Sequence, residues 1–282
     1  MSSQFQVPAH SNEVRVAIPQ AHVLLLTFNR PKALNAMTPT MTEDIKNILD
    51  WFENEPSLWA VIFTGEGRLF CAGADLHAWN QRQQAGSAKN DAEDVVTDVH
   101  GFGSISRRST CMKPMVAAVN GGAYGGGVEM ILNCDIVIAD EDAKLALPEV
   151  KRGVCAIQGG MPRLGRIAGH QLASEMLLLG KTVSATEAAT RFGFVNKVVP
   201  RSELLRTALA WAAAINENSP DSVQSTKRAL LEGNRHGSVE DAVVAHIRSK
   251  ENVRLYDSYN MKEGLKAFSE KRKPMWTNPA KL

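Results

Sequence analysis

The chain has 282 residues, 44% of them hydrophobic and 22% charged, with a formal net charge of +2. That length supports a substantial core in one large domain or a domain with an extension, and the charge is too small to argue for nucleic acid or an anionic membrane. No apolar run approaches the roughly 20 residues of a membrane span, and Cys71, Cys111, Cys134 and Cys155 are too scattered for a zinc site and read as reduced thiols.

Taken in order, residues 14–18 and 23–28 are β-rich and predict a hairpin. Thr38 before Pro39 is a cap followed by proline at the first helical position, and Ile45, Ile48, Leu49 and Phe52 give that helix an apolar stripe ending near Pro56. Residues 59–64 predict a strand that runs into GEGRLFCAGADL, a glycine-bearing turn. Residues 77–92 are polar and aperiodic, predicting a surface segment that becomes helical over 95–105. Residues 114–119 predict a buried strand, and Val128, Met130, Ile131 and Leu132 a helix with Glu129 in its first turn. Further strands are expected at 136–139, 143–147 and 194–199, with Pro148, Glu149 and a loop to Gly160 after the second. Ser184 and Glu187 have capping-box spacing. From Ser202 onward only helical patterns occur: Leu204, Leu205, Ala208 and Trp211 on one face, then segments at 223–231 and 239–253. The outcome is an α/β body over residues 1–199 and an all-helical region over 200–282.

Five of the seven residues from Gly121 to Gly127 are glycine. Lacking Cβ, such a stretch lets backbone come very close to another group, and the helix start after it offers N–H donors to an anion or a polarised oxygen. It is no dinucleotide fingerprint: counting from Gly125 and Gly127, the third glycine position is Met130. Gly180, Lys181 and Thr182 do not make a P-loop, because Glu175 stands at the earlier glycine position, and no G-x-S-x-G elbow is present. The two turns after strands, CAGAD and YGGGVE, are instead candidates to aim two N–H groups at one oxygen. Glu129 and Glu149 follow as candidate acid–base groups; either alone would read as a surface carboxylate, and the two turns reverse that reading.

NRPKALNAM (29–37), FCAGADL (70–76), NGGAYGGGVEMILNCDIVIA (120–139), LPEV (147–150) and AFSEKRKP (267–274) resemble the enoyl-CoA hydratase/isomerase, or crotonase, superfamily over nearly the whole chain. The resemblance implies a crotonase-like spiral of ββα units followed by C-terminal helices that build trimers, often paired as hexamers. It implies an acyl-CoA thioester whose carbonyl is held by the N–H groups of Ala74 and Gly126. Lys32, Ala33, Leu34, Ala72, Gly73, Asp75, Leu76 and Gly125 would line the coenzyme and acyl path, and Lys271 of a neighbouring helix would meet the phosphates. Glu129 would activate a water and Glu149 protonate the α-carbon, exchanging roles in dehydration.

Hydration of a 2-enoyl-CoA is therefore the first expectation, with double-bond isomerisation or a non-catalytic acyl-CoA-binding or assembly role as alternatives. No metal and no cofactor beyond the substrate's own coenzyme A are expected. GVCAIQGG (153–160) departs from the usual pattern, in which a proline and small residues precede the paired glycines, so Ile157 and its loop are expected to set the acyl preference. Ala280, Lys281 and Leu282 resemble a C-terminal peroxisomal address, implying an import receptor as partner and a peroxisomal location, or a cytoplasmic one if the source is bacterial.

Overall fold

The computed structural model describes residues 5–75, 84 and 95–279. Leu76, the terminal tripeptide 280–282 and nearly all of the polar segment 77–92 lie outside the described residues.

Among the described residues ten strands, numbered along the chain, form two sheets. In the first, β1 (Val14–Gln20), β2 (Val23–Phe28), β3 (Ala60–Gly65), β5 (Met115–Val119), β7 (Ile136–Asp140) and β10 (Lys197–Val199) lie side by side in that order, parallel except for the β1–β2 hairpin. In the second, β4 (Leu69–Cys71), β6 (Gly122–Tyr124), β8 (Lys144–Ala146) and β9 (Thr182–Ser184) are neighbours, with β4, β6 and β8 parallel and β9 antiparallel. Each of β3, β5 and β7 runs almost directly into a short strand of the second sheet, so the chain winds as a spiral of ββα turns.

The first sheet is covered on both faces, which explains its nearly unbroken apolar runs. Leu24, Leu26, Phe28, Val61, Phe63 and Val119 share one core with Ile45, Ile48, Leu49 and Phe52 of helix α1 (Pro39–Asn54). The alternate residues Val23, Ala60, Ile62, Val116 and Ala118 pack under Leu204, Ala208 and Ala212 of α6 (Leu204–Asn216). Between α1 and α6 lie the shorter helices α2 (Gly126–Ile131), α3 (Gly160–Ala168), α4 (His170–Leu178) and α5 (Ala185–Thr190). After it come α7 (Pro220–Arg235), α8 (Val239–Ile247), α9 (Lys250–Asp257) and α10 (Tyr259–Ser269). Lys227 of α7 reaches into the body, where its Nζ meets Asp135 Oδ2 at 2.7 Å and the Lys113 carbonyl at 3.0 Å. Among the described residues no helix is long and apolar enough to cross a membrane.

Several predicted elements need correction. The helix expected over 95–105 is helical only at 95–97 and in a 3-10 turn Phe102–Ser104, because Gly101 and Gly103 take φ of 69° and 59°. The single segment at 239–253 is two helices, the second restarted by a Ser249 cap on the Asn252 N–H. Leu205 does not share the buried face with Leu204 and Ala208, being 40% exposed, whereas Trp211, partly buried, packs against the same cluster and Ala212 joins it. The glycine stretch is not one loop, since Gly122–Tyr124 is β6, and β4 and β9 were not foreseen as strands. Cys71 and Cys111 are buried, whereas Cys155 is exposed.

Asn35 ties the turn before α1 to the second sheet. It is buried with φ of 56°, accepts the Arg30 N–H at 2.8 Å and donates to the carbonyls of Glu66 at 3.0 Å and Leu69 at 2.7 Å. Asparagine tolerates that left-handed backbone better than most residues. Asn35→Ala strands three backbone partners and strains the turn, and is expected to lower unfolding free energy by about 2–4 kcal/mol. Urea unfolding checks this; a midpoint unchanged from wild type would remove the anchoring role.

Candidate active site

β4, β6 and β8 are adjacent parallel strands, and the segments leaving their C-terminal ends carry most of the predicted site. Ligands of parallel sheets collect at such ends. Gly73 and Ala74 follow β4, Gly125, Gly126 and Glu129 follow β6, and Glu149 follows β8.

The first two segments meet closely. A Cβ on Gly73, which has φ of 92°, would lie 2.7 Å from the Tyr124 carbonyl and 3.7 Å from the Gly126 nitrogen. Only glycine permits that approach. Gly126 opens α2, so its N–H has no acceptor inside the helix. Phe102 lies directly over it: a methyl on Gly126 would fall on the Phe102 ring. A cavity of about 360 Å³ opens beside Ala74, between the first turn of α1 and Phe102.

The 32–34 turn is also brought to this place. Lys32 and Ala33 lie in a 3-10 turn, Leu34 closes it with φ of 55°, and the Leu34 carbonyl accepts the Ala72 N–H at 3.0 Å. One residue pair further on, the Met37 N–H donates to the Gly73 carbonyl at 2.9 Å, and Asp75 pairs with Arg30 at 3.7 Å. Thus Lys32, Ala33, Leu34, Ala72, Gly73, Ala74 and Asp75 form one contiguous edge.

Glu129 is 3% exposed, one helical turn beyond Gly126. Its Oε1 accepts the Gly160 N–H at 3.0 Å, and a Cβ on Gly160 would lie 2.8 Å from its Cγ. Burial pushes the Glu129 carboxyl up to about 7; the nearby Glu149 adds to that push, while the N–H groups of Gly160 and Gln158 and the Arg163 guanidinium oppose it. Glu149, half-buried, is also raised by burial, against the pull of its own N–H and of Arg152. Its Oε1 lies where a Cβ on Gly125 would be 2.9 Å away, and its Oε2 is shut from solvent without a hydrogen-bond partner. Two carboxyl groups thus share one poorly solvated place beside Gly125 and Gly126.

Two predicted residues are exposed in the single chain. Ile157 is 47% exposed on its loop. Lys271 is exposed beyond α10, and its N–H donates to the Phe268 carbonyl at 3.2 Å. Sequence reading missed Phe102, Asn35 and the pairing of Gly160 with Glu129. The paired glycines before α3 were the available signal for the last. Among the described residues no cluster of three potential metal ligands occurs.

A family model described as enoyl-CoA hydratase/isomerase matches residues 19–279. The chain belongs to this family. Mevalonyl-coenzyme A hydratase of Aspergillus fumigatus is 43% identical over 267 residues, covering 95% of each protein. The 2,3-dehydroadipyl-CoA hydratase of Escherichia coli is 34% identical over 257 residues, 90% of this chain and 95% of that one. A crystal structure of an enoyl-CoA hydratase from Mycobacterium tuberculosis superposes with a TM-score of 0.83 at 34% identity, covering 95% of this chain and all of that one. The crotonase spiral with its helical C-terminal region is therefore this chain's fold, as the motifs implied. As an enoyl-CoA hydratase/isomerase family member, the chain has an acyl-CoA ligand as its family-level expectation, and the contiguous edge from 32–34 to 72–75 runs beside the two facing turns.

Proposed function

We propose that the protein adds water reversibly across the α,β double bond of an enoyl-CoA thioester. The observation that carries this reading is the pair of carboxyl groups, Glu129 and Glu149, both raised by burial and electrostatically coupled beside the Gly73–Gly126 contact. In hydration, Glu129 takes a proton from water as its oxygen bonds to the β-carbon, and Glu149 gives a proton to the α-carbon. The negative charge passing through the thioester oxygen is stabilised by the Ala74 and Gly126 N–H groups. Dehydration reverses each transfer: Glu149 takes the α-proton and Glu129 protonates the departing hydroxyl.

Burial holds the Glu129 proton to about 7 and raises the Glu149 carboxyl in the same direction. A proton kept on Glu129 is what dehydration of a 3-hydroxyacyl-CoA draws on. The 43% identity to a mevalonyl-coenzyme A hydratase favours a short acyl group carrying a methyl and a hydroxyl on the β-carbon and a second hydroxyl at its end. Turnover of mevalonyl-CoA and of unbranched 3-hydroxyacyl-CoA thioesters, followed by the absorbance of the conjugated enoyl product, tests this directly. Isomerisation in the same cradle is separated by product analysis in oxygen-labelled water, where hydration places solvent oxygen on the β-carbon and isomerisation places none.

Both directions need one proton on the pair, which titrates as a unit. As pH rises through about 7 the last proton leaves, so kcat/KM is expected to fall on that side; at acid pH the second carboxylate is neutralised and it falls again. A kcat/KM that stays flat between pH 6 and 9 would be incompatible with one required proton on the pair.

A further inference from the structure

We propose that Arg163 is a positioning residue for the proton transfers: its guanidinium holds the Gly159–Gly160 peptide so that the peptide N–H is aimed at Glu129. For its kinetic consequences this assignment rests on the hydratase reading above. Arg163 lies in the first turn of α3, and both its backbone N–H and its guanidinium Nη1 donate to the Gly159 carbonyl at 3.3 Å. Across that same peptide bond, the Gly160 N–H donates to Glu129 Oε1 at 3.0 Å. A trans peptide points its carbonyl and its N–H in opposite directions. One rigid unit therefore stands between the guanidinium and the carboxyl, with the negative end of its dipole on the cation and the positive end on the anion.

The paired glycines make this arrangement possible. Gly159 takes φ of 104°, and a Cβ there would lie 2.1 Å from Arg163 Nη1, in the place the guanidinium occupies. At the other end, a Cβ on Gly160 would lie 2.8 Å from Glu129 Cγ. A side chain at either position would push one partner away from the peptide. Hydrogen bonds in series polarise one another, so the cation at one end strengthens the bond to the carboxylate at the other. Arginine keeps its charge across the working pH range, and here it is half-buried. Around the pair, Glu149 pushes the Glu129 carboxyl up while Arg163 pulls it down, and Arg107 and Arg166 repel the Arg163 guanidinium. Cys134, which also faces Arg163, is kept a neutral thiol by burial. With the guanidinium gone, Glu129 would hold its proton to higher pH and the Gly160 N–H would lose its anchor.

The test uses the full chain with carbon-13 at the glutamate side-chain carboxyl, where the Glu129 signal is the one lost in Glu129→Gln. Its midpoint is expected at about 7 in wild type, and higher by about half a unit to one unit in Arg163→Met and Arg163→Gln. Two uncharged variants keep a folding defect in one from deciding the result. Arg163→Lys, which can still bring one cationic donor to the Gly159 carbonyl, is expected to restore the wild-type midpoint. In the uncharged variants kcat should fall about tenfold or more with KM near wild type, since the misplaced group is an acid–base one. The alkaline limb of kcat/KM should move up by the same amount as the midpoint. A midpoint unmoved in a folded uncharged variant, or displaced equally in Arg163→Lys, would overturn the assignment. The titration needs no substrate, so a wild type without hydratase activity would overturn the hydratase reading, while the midpoints still decide whether Arg163 acts on Glu129.

Discussion

Glu129→Gln and Glu149→Gln are each expected to lower kcat by about 10² to 10⁴, the range for loss of an acid–base group, while thioester binding holds near the wild-type Kd. Glutamine is close to glutamate in shape, and at position 129 its amide oxygen can still accept the Gly160 N–H that orients the native carboxylate at 3.0 Å. The variants therefore remove proton exchange with little loss of packing. They also differ in a readable way. Followed as dehydration, in which Glu129 is the acid, residual activity of Glu129→Gln should lose the alkaline limb near 7, because the group that burial pushes to about 7 is gone. Glu149→Gln, followed in the same direction, should lose the acid limb and keep the alkaline one. Stopped-flow or steady-state kinetics with isotope-labelled water gives both numbers, and near-normal hydration by either folded variant would move isomerisation or a non-catalytic role ahead.

Gly126→Ala should cost about 10² to 10³ in kcat, comparable with loss of one oxyanion donor. The new methyl would collide with the Phe102 ring, so either the ring or the N–H at the start of α2 has to move. Helix propensity alone would predict a slight gain, since alanine is the better helix former. A loss of rate in a protein that melts near the wild-type temperature thus isolates misplacement of the donor. Adding Phe102→Ala to the variant makes room for the methyl and should recover part of the lost rate. A single variant with wild-type kcat would show that the Gly126 N–H is not held at the reacting oxygen.

Much of the local structure was legible because it rests on neighbours in the chain. The Thr38 cap accepts the Met41 N–H at 3.0 Å as its place before Pro39 predicts, and Ser184 and Glu187 exchange both bonds of a capping box at 3.0 and 3.1 Å. Glu129 in the first turn of a helix after the glycines also follows from local pattern. The three-residue strands β4, β6 and β9 were not legible, since so few residues cannot display a period of two. For the same reason the sequence does not show that β4, β6 and β8 are neighbours, which is what joins residues 73, 126 and 149 in one site. Residues 95–105 misled because apolar content outweighed two glycines that take left-handed backbone. Phe102 was hidden by the same break, being placed over Gly126 by a turn rather than by a helix face.

The passage of each spiral turn from the first sheet into the second places the candidate groups on separate units. One turn ends in the Gly73–Ala74 peptide, the next in Gly126 and Glu129, and the third in Glu149, each leaving its own strand of a parallel row. Neighbouring strands in such a row keep a spacing of about 4.8 Å whatever their loops contain. Replacing the residues after one strand can therefore delete or exchange a single chemical group while the other two keep their positions. A scaffold partitioned in this way can evolve a new reaction one turn at a time, with thioester recognition inherited unchanged.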